Sequence, residues 1–270
     1  MSNPEIGKQI ACGGVLTNYH DVGMGPPVLM LHGSGPGVSA WANWRLTIQA
    51  LQQDFRVLAP DLAGFGYSET PADFVYSRQA WLDQIVAFLD ALGVEKAHVI
   101  GNSFGGSMAL ALAIAHPERV DRLVLMGSVG VPFTLTEGLD AVWGYTPSLE
   151  NMRRIMGIFA HDQSLIGDAL VALRLRASER LHDQYAAMFP APRQRWVDAM
   201  AHAEADIRKL PHPTLLVHGR EDRVIPPETS KTLFEWIDRS ELHLFSHCGH
   251  WTQIEHAAPF NALVASFLSR

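Results

Sequence analysis

Short apolar runs alternate with helical patterns along most of the chain, and this alternation constrains the fold more than any other feature of the sequence. Runs that are apolar throughout are typical of parallel strands buried on both faces. With helices between them, they predict a mostly parallel, doubly wound α/β sheet. The predicted strands are Val28 to Leu31, Arg56 to Ala59, Ala97 to Ile100, Arg122 to Met126, Thr214 to Val217 and Glu241 to Phe245, with a further β-prone stretch at Val15 to Val22.

Helical spacing predicts the connecting helices and one long helical insertion. The sheet-covering helices are predicted at Ser77 to Leu92, Phe104 to Ala115, Pro227 to Ile237 and Pro259 to Leu268. Residues 134–208 contain no convincing strand, and they suggest helices such as Ser148 to Phe159, Ser164 to Arg176 and Arg193 to Ala205. We therefore predict a helical lid at 134–208, inserted into a core formed by 1–133 and 209–270. Such a lid can cover the carboxyl ends of the strands, where open α/β sheets bind ligands.

Charge and cysteine content exclude several classes of partner. The net charge is −7 over 270 residues, which disfavours nucleic-acid binding because that needs clustered Lys and Arg. Cys12 and Cys248 are too few for a disulfide framework and are not spaced as metal ligands. No apolar run reaches the roughly 18 residues needed to cross a bilayer, and the first nine residues are polar. We expect a cytoplasmic protein without a nucleic-acid or membrane partner.

The segment Gly101-Asn102-Ser103-Phe104-Gly105 carries the first chemical signal. It matches G-x-S-x-G between a predicted strand and a predicted helix, which is the context of the nucleophile elbow in the α/β-hydrolase fold. The glycines permit a sharp turn that projects the serine above the sheet. The sequence therefore predicts Ser103 as the nucleophile.

A serine hydroxyl needs a base, and that base needs an orienting carboxylate. His250 follows the last predicted strand, where a loop can reach back over the sheet; His247 is the alternative, and Gly249 favours His250. The acid should follow the preceding strand, where both Glu221 and Asp222 are available. The order Ser, Asp, His along the chain agrees with the α/β-hydrolase fold.

The glycine-rich loop His32-Gly33-Ser34-Gly35-Pro36-Gly37 follows the predicted strand at Val28 to Leu31. Backbone amides in such a loop can be directed at a developing oxyanion. The second amide should belong to Phe104, the residue after the nucleophile.

Together, several motifs resemble those of the meta-cleavage product hydrolases, which hydrolyse carbon–carbon bonds in bacterial aromatic catabolism. The motifs are His32 to Gly37, Trp41-Ala42-Asn43-Trp44, Gly101 to Gly106, Gly219 to Asp222, and Cys248-Gly249-His250-Trp251. The resemblance spans nearly the whole chain, including Leu139 to Tyr145 and Phe189 to Trp196 in the predicted lid.

The resemblance implies a role for each matching residue. Ser103, Asp222 and His250 would form the catalytic triad, and the amides of Ser34 and Phe104 the oxyanion hole. The implied substrate contacts come from Gly35, Asn43, Asn102, Arg174 and Trp251. An aromatic residue often follows the lid arginine in this family, whereas Leu175 follows Arg174 here. This departure leaves Arg176 as an alternative to Arg174.

The implied substrate is an anionic dienoate, either 2-hydroxymuconate semialdehyde or a 2-hydroxy-6-oxo-dienoate with a small alkyl group on the distal carbonyl. The products would be 2-hydroxypenta-2,4-dienoate and formate or a small carboxylic acid. No cofactor or metal is expected, and relatives commonly form homo-oligomers. Two alternatives remain at this point: a carboxylesterase or lactonase that uses the same triad, and a receptor on this fold that binds its ligand without turnover.

Overall fold

A computed structural model describes residues 3–270 and shows one eight-stranded sheet with helices on both faces. The strands are β1 (Lys8–Cys12), β2 (Val15–Val22), β3 (Pro27–Leu31), β4 (Arg56–Pro60), β5 (Ala97–Asn102), β6 (Val120–Met126), β7 (Thr214–Gly219) and β8 (Ser240–Phe245). Their order is β1-β2-β4-β3-β5-β6-β7-β8. β2 runs antiparallel to β1 and β4, and all other neighbours are parallel. The predicted α/β-hydrolase fold with a mostly parallel sheet is confirmed.

Twelve α-helices surround or extend the sheet in this part of the chain. They are α1 (Ala40–Leu51), α2 (Arg78–Ala91), α3 (Phe104–Ala115), α4 (Glu137–Trp143), α5 (Leu149–Phe159), α6 (Asp168–Glu179), α7 (His182–Met188), α8 (Gln194–Met200), α9 (Glu204–Ile207), α10 (Glu228–Trp236), α11 (Thr252–Glu255) and α12 (Ala257–Leu268). α1 and α12 bury Trp44 and Phe260 on one face of the sheet. α2 and α3 bury Trp81 and Met108 on the other face. The two apolar layers hold the strand ends rigidly, which positions the loops that follow them.

Among the core elements that were not anticipated from the sequence are β1 and α1. β1 forms an edge with mostly exposed side chains, so it lacks the apolar pattern of a buried strand. α1 begins at the N-cap Ser39, whose side chain accepts a hydrogen bond from the Ala42 amide. Because this cap comes soon after the glycine-rich loop, the start of the helix could not be recognised from the sequence.

Between β6 and β7 the chain forms α4 to α9 and no strand. Two helix predictions here were wrong in their bounds. The predicted helix Ser164 to Arg176 instead begins at Asp168, after a short 3₁₀ turn, because Gly167 forms its N-cap. The predicted helix Arg193 to Ala205 is broken into α8 and α9, since Ala201 and Ala203 are extended. The division into a lid and a core remains a prediction.

Among residues 3–270, no helix is long and apolar enough to cross a membrane.

Candidate active site

The nucleophile elbow places Ser103 between β5 and α3 in a strained backbone conformation. Its φ and ψ are 54° and −115°, a region that costs a non-glycine residue free energy and is found most often at functional sites. A Cβ at Gly105 would lie 2.2 Å from the Leu31 carbonyl oxygen, and one at Gly101 would lie 2.4 Å from the Gly105 carbonyl oxygen. Glycine is therefore required at both positions for the turn to close. The serine is 4% exposed.

The structure pairs His250 with Asp222. Nδ1 of His250 donates to Oδ2 of Asp222 at 2.6 Å, and both side chains are buried. His247 is exposed, and the Glu221 carboxylate instead accepts the Cys248 amide and binds Arg220. The geometry thus favours the expected pair over both alternatives.

A second histidine also contacts the Asp222 carboxylate. Nε2 of His218 lies 3.2 Å from Oδ2 of Asp222 and 3.0 Å from the Ile225 carbonyl. Both partners only accept, so Nε2 carries the proton, and Nδ1 accepts from the Ser230 hydroxyl at 2.7 Å. The other carboxylate oxygen accepts the amides of Val224 and Ile225, at 2.7 and 3.0 Å. These four contacts fix the orientation of Asp222.

Burial alone would raise the pKa of Asp222, but its partners outweigh that effect. The charge of His250 and the hydrogen bonds from His218 and His250 hold the pKa of Asp222 well below its usual range. The carboxylate is therefore ionised at neutral pH, which is the form that stabilises an imidazolium and holds the histidine tautomer.

The glycine-rich loop is oriented by His32. Nε2 of His32 accepts the Leu62 amide at 2.9 Å, so Nδ1 carries the proton and donates to the Gly33 carbonyl at 2.7 Å. Burial lowers the pKa of His32 to about 4, which keeps the ring neutral. In a trans peptide the carbonyl and the following amide point in opposite directions, so this hydrogen bond also fixes the Ser34 amide. The Ser34 hydroxyl accepts from the Trp143 indole at 3.0 Å.

Phe104 supplies the other expected oxyanion amide. As the first residue of α3, it has no intrahelical partner for its amide. Its side chain packs edge-on against Trp81, with ring centroids 4.8 Å apart, which anchors the start of the helix. The amide belongs to the peptide bond that joins Phe104 to Ser103, so the elbow places it beside the nucleophile.

A cavity of about 410 Å³ lies above the elbow. Eight of the ten residues expected at the site line it: Ser34, Gly35, Asn43, Asn102, Ser103, Arg174, His250 and Trp251. Asp222 lies behind His250, and Phe104 is buried beneath the elbow. Arg176 is exposed and does not line the cavity, so the structure favours Arg174 over this alternative.

One part of the cavity wall is apolar and comes mainly from the segment between β6 and β7. It contains Leu139, Val142, Met152, Ile155, Met156, Phe159 and Val224. Phe159 stacks on His250 and Trp251, with ring centroids 5.7 and 5.2 Å apart. Its carbonyl accepts the His250 amide at 2.7 Å. Phe159 thus supports His250 as well as forming a wall.

Another part of the cavity wall is charged. Arg174, on α6, donates to Oε1 of Glu5 at 3.2 Å and to the Gly37 carbonyl. The Ser39 hydroxyl donates to Oε2 of Glu5 at 2.5 Å. Arg45 lines the cavity in the same region. These residues bring positive charge into a cavity that also contains the serine and the histidine.

The chain is similar over nearly its whole length to proteins of known family. A family model described as "alpha/beta hydrolase fold" matches residues 26–257. The chain is 62% identical to 2-hydroxymuconate semialdehyde hydrolase from Pseudomonas sp. strain CF600, over all of this chain and 96% of that protein. It is 54% identical to 2-hydroxy-6-oxo-2,4-heptadienoate hydrolase from Pseudomonas putida, over 99% and 98% of the two chains.

Among solved structures, a meta-cleavage product hydrolase from Pseudomonas fluorescens IP01 superposes with a TM-score of 0.98. This structure is a serine-to-alanine variant in complex with acetates, and it is 56% identical over 99% of both chains. The chain belongs to the meta-cleavage product hydrolases. The resemblance drawn from the motifs is therefore confirmed.

This meta-cleavage product hydrolase also contains residues at the candidate site that the sequence did not reveal. Trp143 was noticed only as part of a family-like run, yet its indole donates to the hydroxyl of Ser34 in the glycine-rich loop. His218 opens the run that contains Asp222, and its place at the end of β7 could have marked it. Glu5 and Arg45 gave no signal, because neither lies in a motif and Glu5 reaches the site from the N-terminal segment.

Proposed function

We propose that this chain hydrolyses a carbon–carbon bond of a meta-ring-fission product, and that its triad is Ser103, Asp222 and His250. The substrate would be 2-hydroxymuconate semialdehyde or an analogue with a small alkyl group in place of the aldehyde hydrogen. Water addition would give 2-hydroxypenta-2,4-dienoate and formate, or the corresponding carboxylic acid. One observation carries this proposal: a single cavity is lined by the expected serine and histidine together with the partly buried Arg174.

Different parts of the cavity can bind the polar end and the reacting end of the substrate. Arg174 would bind the carboxylate, because a guanidinium pairs with a carboxylate through parallel hydrogen bonds. Asn43 and Asn102 would hold the adjacent hydroxyl or enolate oxygen. Proton transfer to carbon then gives a keto form, which can accept the electron pair of the breaking bond.

The distal carbonyl would lie above the elbow. The amides of Ser34 and Phe104 would stabilise the oxyanion formed when Ser103, or water activated through it, attacks. His250 would take the proton and return it to the leaving carbon fragment. Collapse of the tetrahedral adduct breaks the carbon–carbon bond, and its electron pair moves onto the keto fragment. If Ser103 itself attacks, the acyl group remains on its oxygen, and water activated by His250 then hydrolyses this ester, which releases the acid and regenerates the serine.

The apolar wall supports a small aliphatic group on the distal carbonyl. The side chains of α4 and α5 that face the cavity are Leu139, Val142, Met152, Ile155, Met156 and Phe159. None of them could pair with a second carboxylate, so a dianionic substrate would lose hydration without a counter-ion. Relatives of high identity are named for the semialdehyde and for the heptadienoate, and both names fit a small group.

The test is product analysis with a graded set of ring-fission products that carry hydrogen, methyl, isopropyl or phenyl on the distal carbonyl. We expect loss of the dienolate absorbance and equimolar formation of 2-hydroxypenta-2,4-dienoate and the acid, with kcat/KM highest for hydrogen or methyl. Rapid hydrolysis of neutral esters with no consumption of any dienoate would instead identify a carboxylesterase. Stoichiometric binding without products would identify a receptor.

Three further parts of the proposal concern organisation and location. We propose that residues 134–208 form the lid, because they supply most of the apolar wall. We propose a homo-oligomer, as implied by the family, which analytical ultracentrifugation would test. A cytoplasmic location is supported by two buried cysteines that remain free thiols, and cell fractionation would test it.

A further inference from the structure

Arg45 is a cavity residue to which no role has been assigned. It lies on α1, two residues after Asn43, and its side chain is partly buried and lines the cavity. NH1 donates to the Ala42 carbonyl at 2.9 Å. Among residues 3–270, no carboxylate lies within 4.0 Å of its guanidinium nitrogens. Most of the five donors of this guanidinium therefore have no protein partner.

Within the cluster of Glu5, Arg45 and Arg174, Arg45 is the cation without a counter-ion of its own. The charge of Arg174 is balanced by Glu5, whose second oxygen is bound by Ser39. Glu5 is held in place from its backbone, because its carbonyl accepts from Asn18 at 3.0 Å. Burial and the charge of Arg174 lower the pKa of Arg45, and Glu5 opposes this effect. Two guanidinium groups and one carboxylate leave one net positive charge.

We propose that Arg45 binds the carboxylate of the substrate jointly with Arg174, and that Glu5 positions Arg174 for this contact. This inference rests on the proposed function. A partly desolvated arginine beside a second arginine is unfavourable without an anion, and a carboxylate bound between them removes the repulsion. The single net charge matches one carboxylate. The cluster thus selects a monoanionic end group over a neutral ester.

The test compares charged and neutral ligands in Arg45→Gln. For the dienoate, we expect KM to rise at least tenfold while kcat changes less than threefold. For p-nitrophenyl butyrate, a neutral ester, kcat/KM should stay within twofold of the wild-type value. Arg45→Lys should recover part of the affinity, since it restores the charge but not the planar donor set. The control is Arg154→Gln, which removes an exposed arginine on α5 that lies outside the cavity.

A second measurement separates this inference from the proposed function. Sorbate, a hexadienoate without the hydroxyl and oxo groups, should inhibit ester hydrolysis competitively. Its inhibition constant should rise at least tenfold in Arg45→Gln, and inhibition by neutral ethyl sorbate should not change. If the wild-type protein does not consume any dienoate, the proposed function fails, yet the sorbate result still decides the role of Arg45.

An unchanged sorbate constant in a folded Arg45→Gln variant would overturn the inference. Equal losses with the dienoate and the neutral ester would also overturn it, because they would show a structural role. Circular dichroism and the melting temperature establish whether the variant is folded. Should Arg45→Gln fail to fold, Arg45→Met carries the test, because it keeps an unbranched apolar side chain and removes the charge; a sorbate inhibition constant equal to the wild-type value would then overturn the inference.

Discussion

The Asp222→Asn substitution tests how Asp222 fixes the tautomer of His250, the proposed catalytic base. One carboxylate oxygen of Asp222 accepts two backbone amides, from Val224 and Ile225. In the variant only the amide oxygen of asparagine can occupy this position, so its NH₂ group must face Nδ1 of His250. That nitrogen would then have to accept a hydrogen bond, and the proton would move to Nε2. The histidine could no longer take a proton from Ser103.

The expected loss in kcat is about 10⁴-fold, the size of the effect that the same change has in a serine protease triad. This corresponds to about 5.5 kcal/mol of activation free energy. The assay is steady-state loss of dienoate absorbance, with the melting temperature as a check of folding. The control is Glu221→Gln, which changes the adjacent carboxylate and should leave kcat within threefold. A folded Asp222→Asn variant with kcat within tenfold of wild type would show that Asp222 does not control the protonation of His250.

The other predictions concern the nucleophile, the lid arginine and a buried histidine. Ser103→Ala should bind the dienoate by equilibrium titration but lose at least about a thousandfold in turnover, because triad residues act as a unit; unchanged turnover would end the assignment. Arg174→Ala should raise KM for the dienoate at least about tenfold, since a hydrogen bond to a charged group contributes about 1.5–3 kcal/mol. Its effect on p-nitrophenyl butyrate should be smaller, and equal losses would indicate a structural role. Burial lowers the pKa of His202 to about 4, below the unfolded value near 6.5, so the stability it contributes is complete above pH 6.5 and is lost as the pH falls through 4. Measured by urea unfolding, the free energy of unfolding should fall less between pH 7 and pH 4 in His202→Gln than in the wild type. An identical pH dependence in the two proteins would contradict this.

The sequence predicted the parts of the fold that depend on local pattern. The buried parallel strands were recognised because both of their faces are apolar, and α3 because it follows the elbow directly. β1 was missed because its side chains are mostly exposed at the sheet edge. The helix prediction that began at Ser164 failed because Gly167 starts a new helix. The spacing of apolar residues does not show such a break.

The residues of the candidate site likewise divide into those that the sequence could predict and those that it could not. Ser103, His250 and the alternatives Glu221 and Asp222 could be predicted, because each follows a strand whose carboxyl end faces the same edge of the sheet. The position after the strand left Glu221 and Asp222 open, the family resemblance chose Asp222, and the backbone amides that hold Asp222 favour the same choice. Glu5 could not be predicted, since its approach to Arg174 depends on how the N-terminal segment packs against β2 and the start of α1.

The most direct test of the account is the structure of the Ser103→Ala variant with a bound dienoate. We expect the substrate carboxylate to lie at the guanidinium groups of Arg174 and Arg45. We also expect the distal carbonyl oxygen to lie near the amides of residues 34 and 104, with the carbonyl carbon within about 3.5 Å of the position of the missing hydroxyl. A substrate bound in the reverse direction, with its carboxylate at the elbow and its distal carbonyl at the arginines, would contradict the account.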